Sequence, residues 1–319
     1  MTDDGYAPFE LLLDAAPLGL VETTVRTALG HGVVRHRSER ASTEATVFLH
    51  GAAGAWTTWT PLLQAATAAG TPFDEPVLLD LPGWGDSRVT DPGNALTVES
   101  ISSFVRECLE ALGYTSWRLV GHSLGGSIAL HLASSRPDQA VSVHVVSPTI
   151  FSVIRSIDHP VRNFTEIPAF TMLLAIMRLL ASLGPTGVRI VRVFAAIGAA
   201  RPAFAPLFRY GRLMPESLVR ATVTDMRPAA FAAAADATRG YRAAELWRDI
   251  RCPVVAQKGD RDIFVSDGDF VELAAAMPRA RLSVIPDCGH FGIIEWPFAV
   301  LEALRPANRP STGVPPPCS

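Results

Sequence analysis

The chain has 319 residues, 48% of them hydrophobic, which is enough to bury a core in one large or two small domains. Its net charge of −3 gives no basic footprint for nucleic acid, and its four widely spaced cysteines indicate neither a zinc site nor a disulfide framework. The N-terminus lacks an apolar signal core, and the longest apolar run, residues 169–183, is too short to span a bilayer. We therefore expect a cytoplasmic protein with no stable membrane insertion and no nucleic-acid partner.

The first part of the chain alternates short apolar runs with amphipathic runs. In chain order the pattern predicts an edge hairpin at 21–26 and 33–37, strands at 46–49, 77–80, 117–120 and 141–146, and helices at 56–69, 98–112 and 127–133. After residue 247 come strands at 254–257 and 282–285, a helix at 269–276 between them, and a last helix at 291–304. Strands that alternate with helices at this spacing predict an α/β fold with a mainly parallel, doubly wound sheet.

Residues 148–247 interrupt the alternation with a helical, apolar sequence, which predicts an inserted all-helical cap. The core would then comprise residues 1–147 and 248–305, and the Pro- and Ser-rich tail at 306–319 is predicted to be disordered. Because the run at 170–183 is apolar around most of a helix, such a helix must bury most of its surface. Its covering could be the cap core, an apolar substrate, or a membrane surface or second subunit.

Ser123 lies at the junction of a predicted strand and a predicted helix, in the motif G-H-S-L-G-G. This arrangement is typical of a sharp turn that presents the serine hydroxyl at the end of a sheet. Gly121 and Gly125 would let strand and helix approach, and the helix N-terminus would favour developing negative charge. G-x-S-x-G alone should occur by chance in roughly one chain in ten of this length, so the motif needs partners.

A serine hydroxyl needs a base to take its proton and an acid to orient that base. In a parallel sheet such groups should follow other strands at the same edge. The ends of the predicted strands carry suitable residues: His50 with a loop of small residues, then Asp260 and Asp262, and finally His290. The resulting chain order is serine, aspartate, histidine.

With these motifs in this order, the chain resembles the α/β-hydrolase-fold serine hydrolases that have a helical cap. The resemblance covers residues 41–304 and rests on H-G-x-x-G, L-P-G-x-G-x-S, G-H-S-x-G-G, and G-x-x-D with C-G-H. It implies that Ser123 is the nucleophile, His290 the general base and then acid, and Asp262 the orienting carboxylate. Asp260, a turn residue of the same loop, is the alternative acid.

The resemblance also implies an oxyanion hole formed by the backbone N–H groups of Ala52 and Leu124. Five residues are expected to support the site through packing and hydrogen bonds: His50, Gly51, Gly121, His122 and Gly125. For His50 and His122, a structural role is expected rather than a catalytic one. No metal or organic cofactor is implied.

Related dehalogenases and epoxide hydrolases carry an aspartate where this chain has Ser123, so the resemblance implies an acyl-enzyme. The expected reaction is hydrolysis of an ester or thioester of a small to medium apolar compound. C–C bond hydrolysis, cofactor-free perhydrolysis and ligand binding without catalysis stay open as alternatives. The fold fixes neither the substrate nor the oligomeric state.

Overall fold

A nine-stranded sheet forms the centre of the protein, and the computed structural model describes residues 5–90 and 96–304. The strands are β1 Val21–Arg26, β2 Gly30–His36, β3 Glu44–Leu49, β4 Pro76–Leu79, β5 Arg88–Val89, β6 Ser116–His122, β7 Ala140–Val146, β8 Val254–Gly259 and β9 Arg281–Ile285. Their order is β1-β2-β4-β3-β6-β7-β8-β9, with β5 beside β2. Pairing is parallel from β4 to β9 along this order and antiparallel at β2. The predicted α/β class is confirmed, whereas the predicted tail at 306–319 lies outside the described residues.

Thirteen α-helices occur in the described ranges. They are α1 Thr60–Ala68, α2 Val98–Ala111, α3 Leu124–Ser135, α4 Phe151–Asp158, α5 Pro168–Ser182, α6 Pro185–Ala196, α7 Ala200–Phe204, α8 Glu216–Asp225, α9 Pro228–Ala237, α10 Ala243–Leu246, α11 Asp267–Ala276, α12 Gly292–Glu295 and α13 Pro297–Leu304. The prediction of one helix at 291–304 is wrong, because Trp296 leaves the helical conformation (φ −135°, ψ 60°). Pro297 accounts for this break, since a proline disfavours helical geometry in the residue before it.

Alternate residues of the central strands pack into two different cores, one on each side of the sheet. In β3, Val47 and Leu49 join the cluster that includes α2 and α3, whereas Phe48 joins the cluster that includes α1 and α13. All three side chains are fully buried. Burial on both faces explains why these strands are continuously apolar, and each such side chain contributes about 1.5 to 3 kcal/mol.

Helices α4 to α10 all lie between β7 and β8, where the all-helical cap is predicted. Within the chain, α5 buries less of its surface than the sequence led us to expect: Phe170, Thr171, Leu174 and Met177 are buried, but other large apolar residues are exposed. In α6 only Gly187 is buried. In the described ranges, no single helix has the length and apolarity to cross a membrane, and α6 with residues 200–207 meets that test only as a pair bent by 103°.

Candidate active site

Ser123 occupies the turn between β6 and α3 with a backbone conformation that is uncommon for serine (φ 52°, ψ −121°). Its N–H donates to the carbonyl oxygen of Val146 at 3.2 Å. Its own carbonyl oxygen accepts from the N–H groups of Gly126 at 2.9 Å and Thr149 at 3.2 Å. These bonds to two parts of the chain hold the strained conformation, so the hydroxyl has a fixed place beside the cavity described below.

The glycines around Ser123 are required by close backbone approaches. A Cβ atom on Gly125 would lie 2.0 Å from the carbonyl oxygen of Leu49, and one on Gly121 would lie 2.4 Å from that of Gly125. A Cβ atom on Gly51 would come within 2.8 Å of Ser123 Cβ. The missing side chains therefore let strand, helix and the loop after β3 meet at the serine.

His290 and Asp262 are joined by hydrogen bonds. His290 Nδ1 lies 3.0 and 3.1 Å from the two carboxylate oxygens of Asp262, and Oδ1 also accepts the N–H groups of Phe264 and Val265. Burial alone would raise the pKa of Asp262, but His290 and these hydrogen bonds outweigh burial and lower it below its ordinary value. Asp260 instead accepts the N–H of Cys288 at 3.0 Å. Asp262 is therefore the carboxylate bonded to the histidine, whereas Asp260 binds the backbone of the loop before it.

The bond to Asp262 fixes which nitrogen of His290 can act as a base. A carboxylate only accepts, so Nδ1 carries the hydrogen and Nε2 is left with a free lone pair. In the described ranges, no hydrogen bond joins Ser123 Oγ to Nε2, although both side chains line one cavity. Such bonds are often long or poorly aligned before substrate binds.

His50 and His122 make structural contacts on either side of the serine. His50 donates from Nδ1 to the Gly51 carbonyl at 2.7 Å and accepts the Leu81 N–H at Nε2 at 2.9 Å, which holds the loop after β3. His122 Nε2 donates to the carbonyl oxygen of His290 at 2.9 Å, which leaves Nδ1 as a buried acceptor without a partner in the described ranges. Burial lowers the pKa of both rings, to about 3 for His122, so both are neutral.

The backbone N–H groups of Ala52 and Leu124 lie beside Ser123 and are available to a ligand. Leu124 is the first residue of α3, where helix N–H groups have no partner within the helix. Across residues 5–90 and 96–304, neither N–H donates to a protein acceptor. Both residues line the same cavity as Ser123, an arrangement that suits an oxyanion hole.

Glu295 is a residue that the sequence did not single out. This buried carboxylate accepts hydrogen bonds at 2.8 to 3.0 Å from Tyr6 Oη and from the N–H groups of Arg209, Gly289 and Phe291. Since Gly289 and Phe291 flank His290, Glu295 fixes the histidine loop from below. Burial raises the pKa of Glu295, and the hydrogen bonds oppose that rise. Only its position five residues after His290 could have pointed to it.

A cavity of about 680 Å³ lies between these residues and the helices of the predicted cap, a size typical of small-molecule sites. Its cap-side lining is aliphatic and aromatic, and includes Phe170, Leu173, Met177, Phe194 and Phe231. Every lining residue in the described ranges is apolar, apart from three threonines, Ser123 and two histidines, and none is an aspartate, glutamate, lysine, arginine, asparagine or glutamine. The serine hydroxyl therefore faces a space suited to uncharged, apolar groups.

Comparisons with known proteins concern the family and the fold of this chain. A family model described as the alpha/beta hydrolase family matches residues 46–303, which contain every residue of the predicted site. The dihydrolipoyllysine-residue acetyltransferase component of the acetoin cleaving system of Cupriavidus necator is 32% identical over 154 residues, 47% of this chain and only 38% of that protein. A candidate carbamate hydrolase of Caulobacter, RutD, is 28% identical over 276 residues, 83% of this chain and 90% of that protein. The solved epoxide hydrolase CorEH superposes with a TM-score of 0.67 at 17% identity, over 89% of this chain and 97% of that chain.

Proposed function

Because the chain belongs to the alpha/beta hydrolase family, we propose that it is a serine hydrolase that cleaves an ester or thioester with an uncharged, apolar acyl group. The observation that carries the proposal is the position of Ser123 in an apolar cavity, beside a histidine bonded to a buried carboxylate. The likeness to an epoxide hydrolase structure concerns the fold alone. By the family resemblance, epoxide-opening members use an aspartate where this chain has Ser123.

The proposed reaction proceeds through an acyl-enzyme. Ser123 Oγ attacks the carbonyl carbon while its proton passes to His290 Nε2, and the N–H groups of Ala52 and Leu124 bind the oxyanion. The bond to the leaving oxygen or sulfur then breaks, and His290 returns the proton to the alcohol or thiol. Water attacks the acyl-serine with His290 taking its proton, the acid is released, and Ser123 regains its hydrogen. Asp262 stays ionised and stabilises the histidine cation.

The lining of the cavity supports an apolar acyl group. A carboxylate or ammonium group placed there would lose its water without gaining a charged partner, which is unfavourable. Hydrocarbon, in contrast, gains about 0.8 kcal/mol for each methylene removed from water. We therefore expect kcat/KM to rise about fourfold per added methylene until the cavity is filled.

A series of p-nitrophenyl esters from acetyl to dodecanoyl tests this function. Wild-type protein should hydrolyse the series with the stated dependence on chain length, and a fluorophosphonate should label Ser123. Ser123→Ala should lower kcat by a factor on the order of 10⁶ and abolish labelling. Ser135→Ala, which removes an exposed hydroxyl at the other end of α3, is the matched control and should keep both.

Other outcomes would overturn the proposal. Turnover of a vinylogous diketone without turnover of any ester or thioester would assign C–C bond hydrolysis instead. Tight binding of an apolar ester without turnover or labelling would indicate a binding protein on this fold. Equal activity in Ser123→Ala and wild type would remove Ser123 from the reaction.

A further inference from the structure

Two helices beside the cavity, α5 and α6, expose large apolar side chains to solvent. We call the surface formed by Met172, Ile176, Ile190, Val193, Phe194 and Ile197 the α5–α6 face. Proteins that stay monomeric in water rarely expose apolar patches of this kind unless the patch binds something. The α5–α6 face therefore calls for a binding partner.

The spacing of the α6 residues makes this surface amphipathic. Ile190, Val193, Phe194 and Ile197 follow one another at intervals of three, one and three residues, so they share one face of a helix. At 3.6 residues per turn, Arg189 lies at the edge of that face, and Arg192 lies on the side of the helix away from it. An apolar stripe with arginines on the remaining, polar side is the pattern of a helix that lies in a membrane interface.

The α5–α6 face also surrounds an opening of the cavity. Met172, Ile176, Ile190 and Phe194 line the cavity, yet each of them is exposed to solvent. The space next to Ser123 is thus continuous with the exposed apolar surface. A partner that covered this surface would also cover the opening.

The charge of the segment that contains α5 and α6 indicates the charge of the partner. Residues 167–215 contain six arginines and neither aspartate nor glutamate, in a chain whose net charge is −3. Three of these arginines pair with acidic residues from outside the segment: Arg178 with Asp236, Arg201 with Glu216 and Arg209 with Asp287. Arg189 and Arg192 form no ion pair in the described ranges. The partner should therefore be both apolar and anionic.

We propose that the α5–α6 face docks reversibly on an anionic lipid bilayer. The apolar side chains enter the boundary between headgroups and acyl chains, while Arg189 reaches the lipid phosphates and Arg192, one turn along, adds to the attraction of the anionic surface. A second copy of the chain fits less well, because a twofold dimer would place this face against itself, basic residues against basic residues. Docking rests on the exposed surface and does not depend on the proposed hydrolysis.

Co-sedimentation with vesicles tests the proposal on the full chain in its Ser123→Ala form, so that no lipid is consumed. The protein should bind vesicles of phosphatidylcholine with phosphatidylglycerol more tightly than vesicles of phosphatidylcholine alone. Binding should weaken when the ionic strength rises from about 0.1 M to about 1 M, which shortens the Debye length from about 10 to about 3 Å.

Two variant pairs separate charge from apolar contact. Arg189→Gln with Arg192→Gln should weaken binding about 30-fold, whereas Arg242→Gln with Arg251→Gln, the same charge change elsewhere, should not. Ile197→Asp should weaken binding at least about tenfold. Its control is Val271→Asp in α11, because the two side chains are 73% and 70% exposed and neither change should disturb the fold.

Three results would overturn docking on the bilayer. The first is equal binding to both kinds of vesicle, or binding to neither. The second is an equal loss in the test and control variants. The third is a dimer in sedimentation equilibrium that Ile197→Asp dissociates, which would assign the α5–α6 face to a second copy of the chain.

Discussion

The sheet edge that holds Ser123 and the helices α5 and α6 differ in the polarity and burial of their side chains. At the edge, the polar side chains are buried and most of them have partners: Asp262, Glu295 and His50 each make at least two hydrogen bonds. In α5 and α6, most large side chains are apolar and many are exposed. The edge therefore holds its polar side chains through hydrogen bonds, whereas helices α5 and α6 supply an apolar surface that is partly exposed.

This difference indicates how the two regions should respond to change. Removing one atom at the edge should affect the chemical step strongly, because preorganised groups act together. Removing several atoms from α5 or α6 should change the free energy of substrate binding only by the area lost. Variants in the two regions can therefore test whether the division holds.

After Ser123→Ala, the largest effect is expected for Asp262→Asn, which keeps the shape but removes the charge that orients His290. An equivalent change in a serine triad lowers kcat by about 10⁴-fold. The measurement is kcat for the best ester of the series, with thermal unfolding to show that the fold is retained. Asp260→Asn in the same loop should stay within about tenfold of wild type, and an equal loss in both variants would contradict the assignment of Asp262.

A smaller effect is expected on the pH dependence of stability, through a buried histidine in the core away from the site. His144 is buried with Nε2 donating to Gln257 Oε1 at 2.9 Å, and burial lowers its pKa to about 4. The unfolded chain takes up this proton near pH 6.5 and the folded protein only near pH 4. Its contribution to stability is therefore complete above pH 6.5 and declines as the pH falls from 6.5 to 4, by about 2 kcal/mol at pH 5.

Denaturant unfolding at pH 8 and pH 5 measures this change in the free energy of unfolding. In His144→Gln the difference between the two pH values should be smaller than in wild type by about 2 kcal/mol. His159→Gln, which changes a solvent-exposed histidine of the cap, is the control and should keep the wild-type difference. An unchanged difference in His144→Gln would show that His144 is not held neutral.

The smallest effect is expected in the cap itself. Ile176 lines the cavity but is half exposed, so Ile176→Ala should cost about 1 kcal/mol of binding for a long acyl chain. That corresponds to about a fivefold rise in KM for the dodecanoyl ester with little change for the acetyl ester. Val271→Ala should change neither. A large fall in kcat for both esters would mean that α5 helps to position the reacting groups and that the division is wrong.

The sheet and its edge were predictable because their signals are local in the sequence. Short apolar runs mark β3, β6 and β8, and the turn motifs around Ser123 and His290 follow such runs directly. The order of strands in a parallel sheet then brings the ends together. The break at Pro297 was also readable from the sequence, since the restriction on Trp296 is a property of the dipeptide.

What could not be predicted depends on contacts between distant parts of the chain. No sequence motif marks Glu295, and two of its hydrogen-bond partners, Tyr6 and Arg209, are 289 and 86 positions away in the chain. The solvent exposure of α6 could not be predicted either, because the sequence shows which residues are apolar but not what covers them. The roles of Ser123 and Asp262 in catalysis stay predictions that the variants above can test.

Neither a change of pH nor lysine acetylation can remove the positive charge beside the α5–α6 face. It comes only from arginine, whose guanidinium keeps its proton at every physiological pH and is not a target of acetylation. The chain has one lysine, Lys258, and that residue is buried, with its ammonium group 2.7 Å from the exposed carboxylate of Asp267. Neither acidification nor lysine acetylation can therefore neutralise this face, which leaves ionic strength and the charge of the opposing surface to tune its attraction.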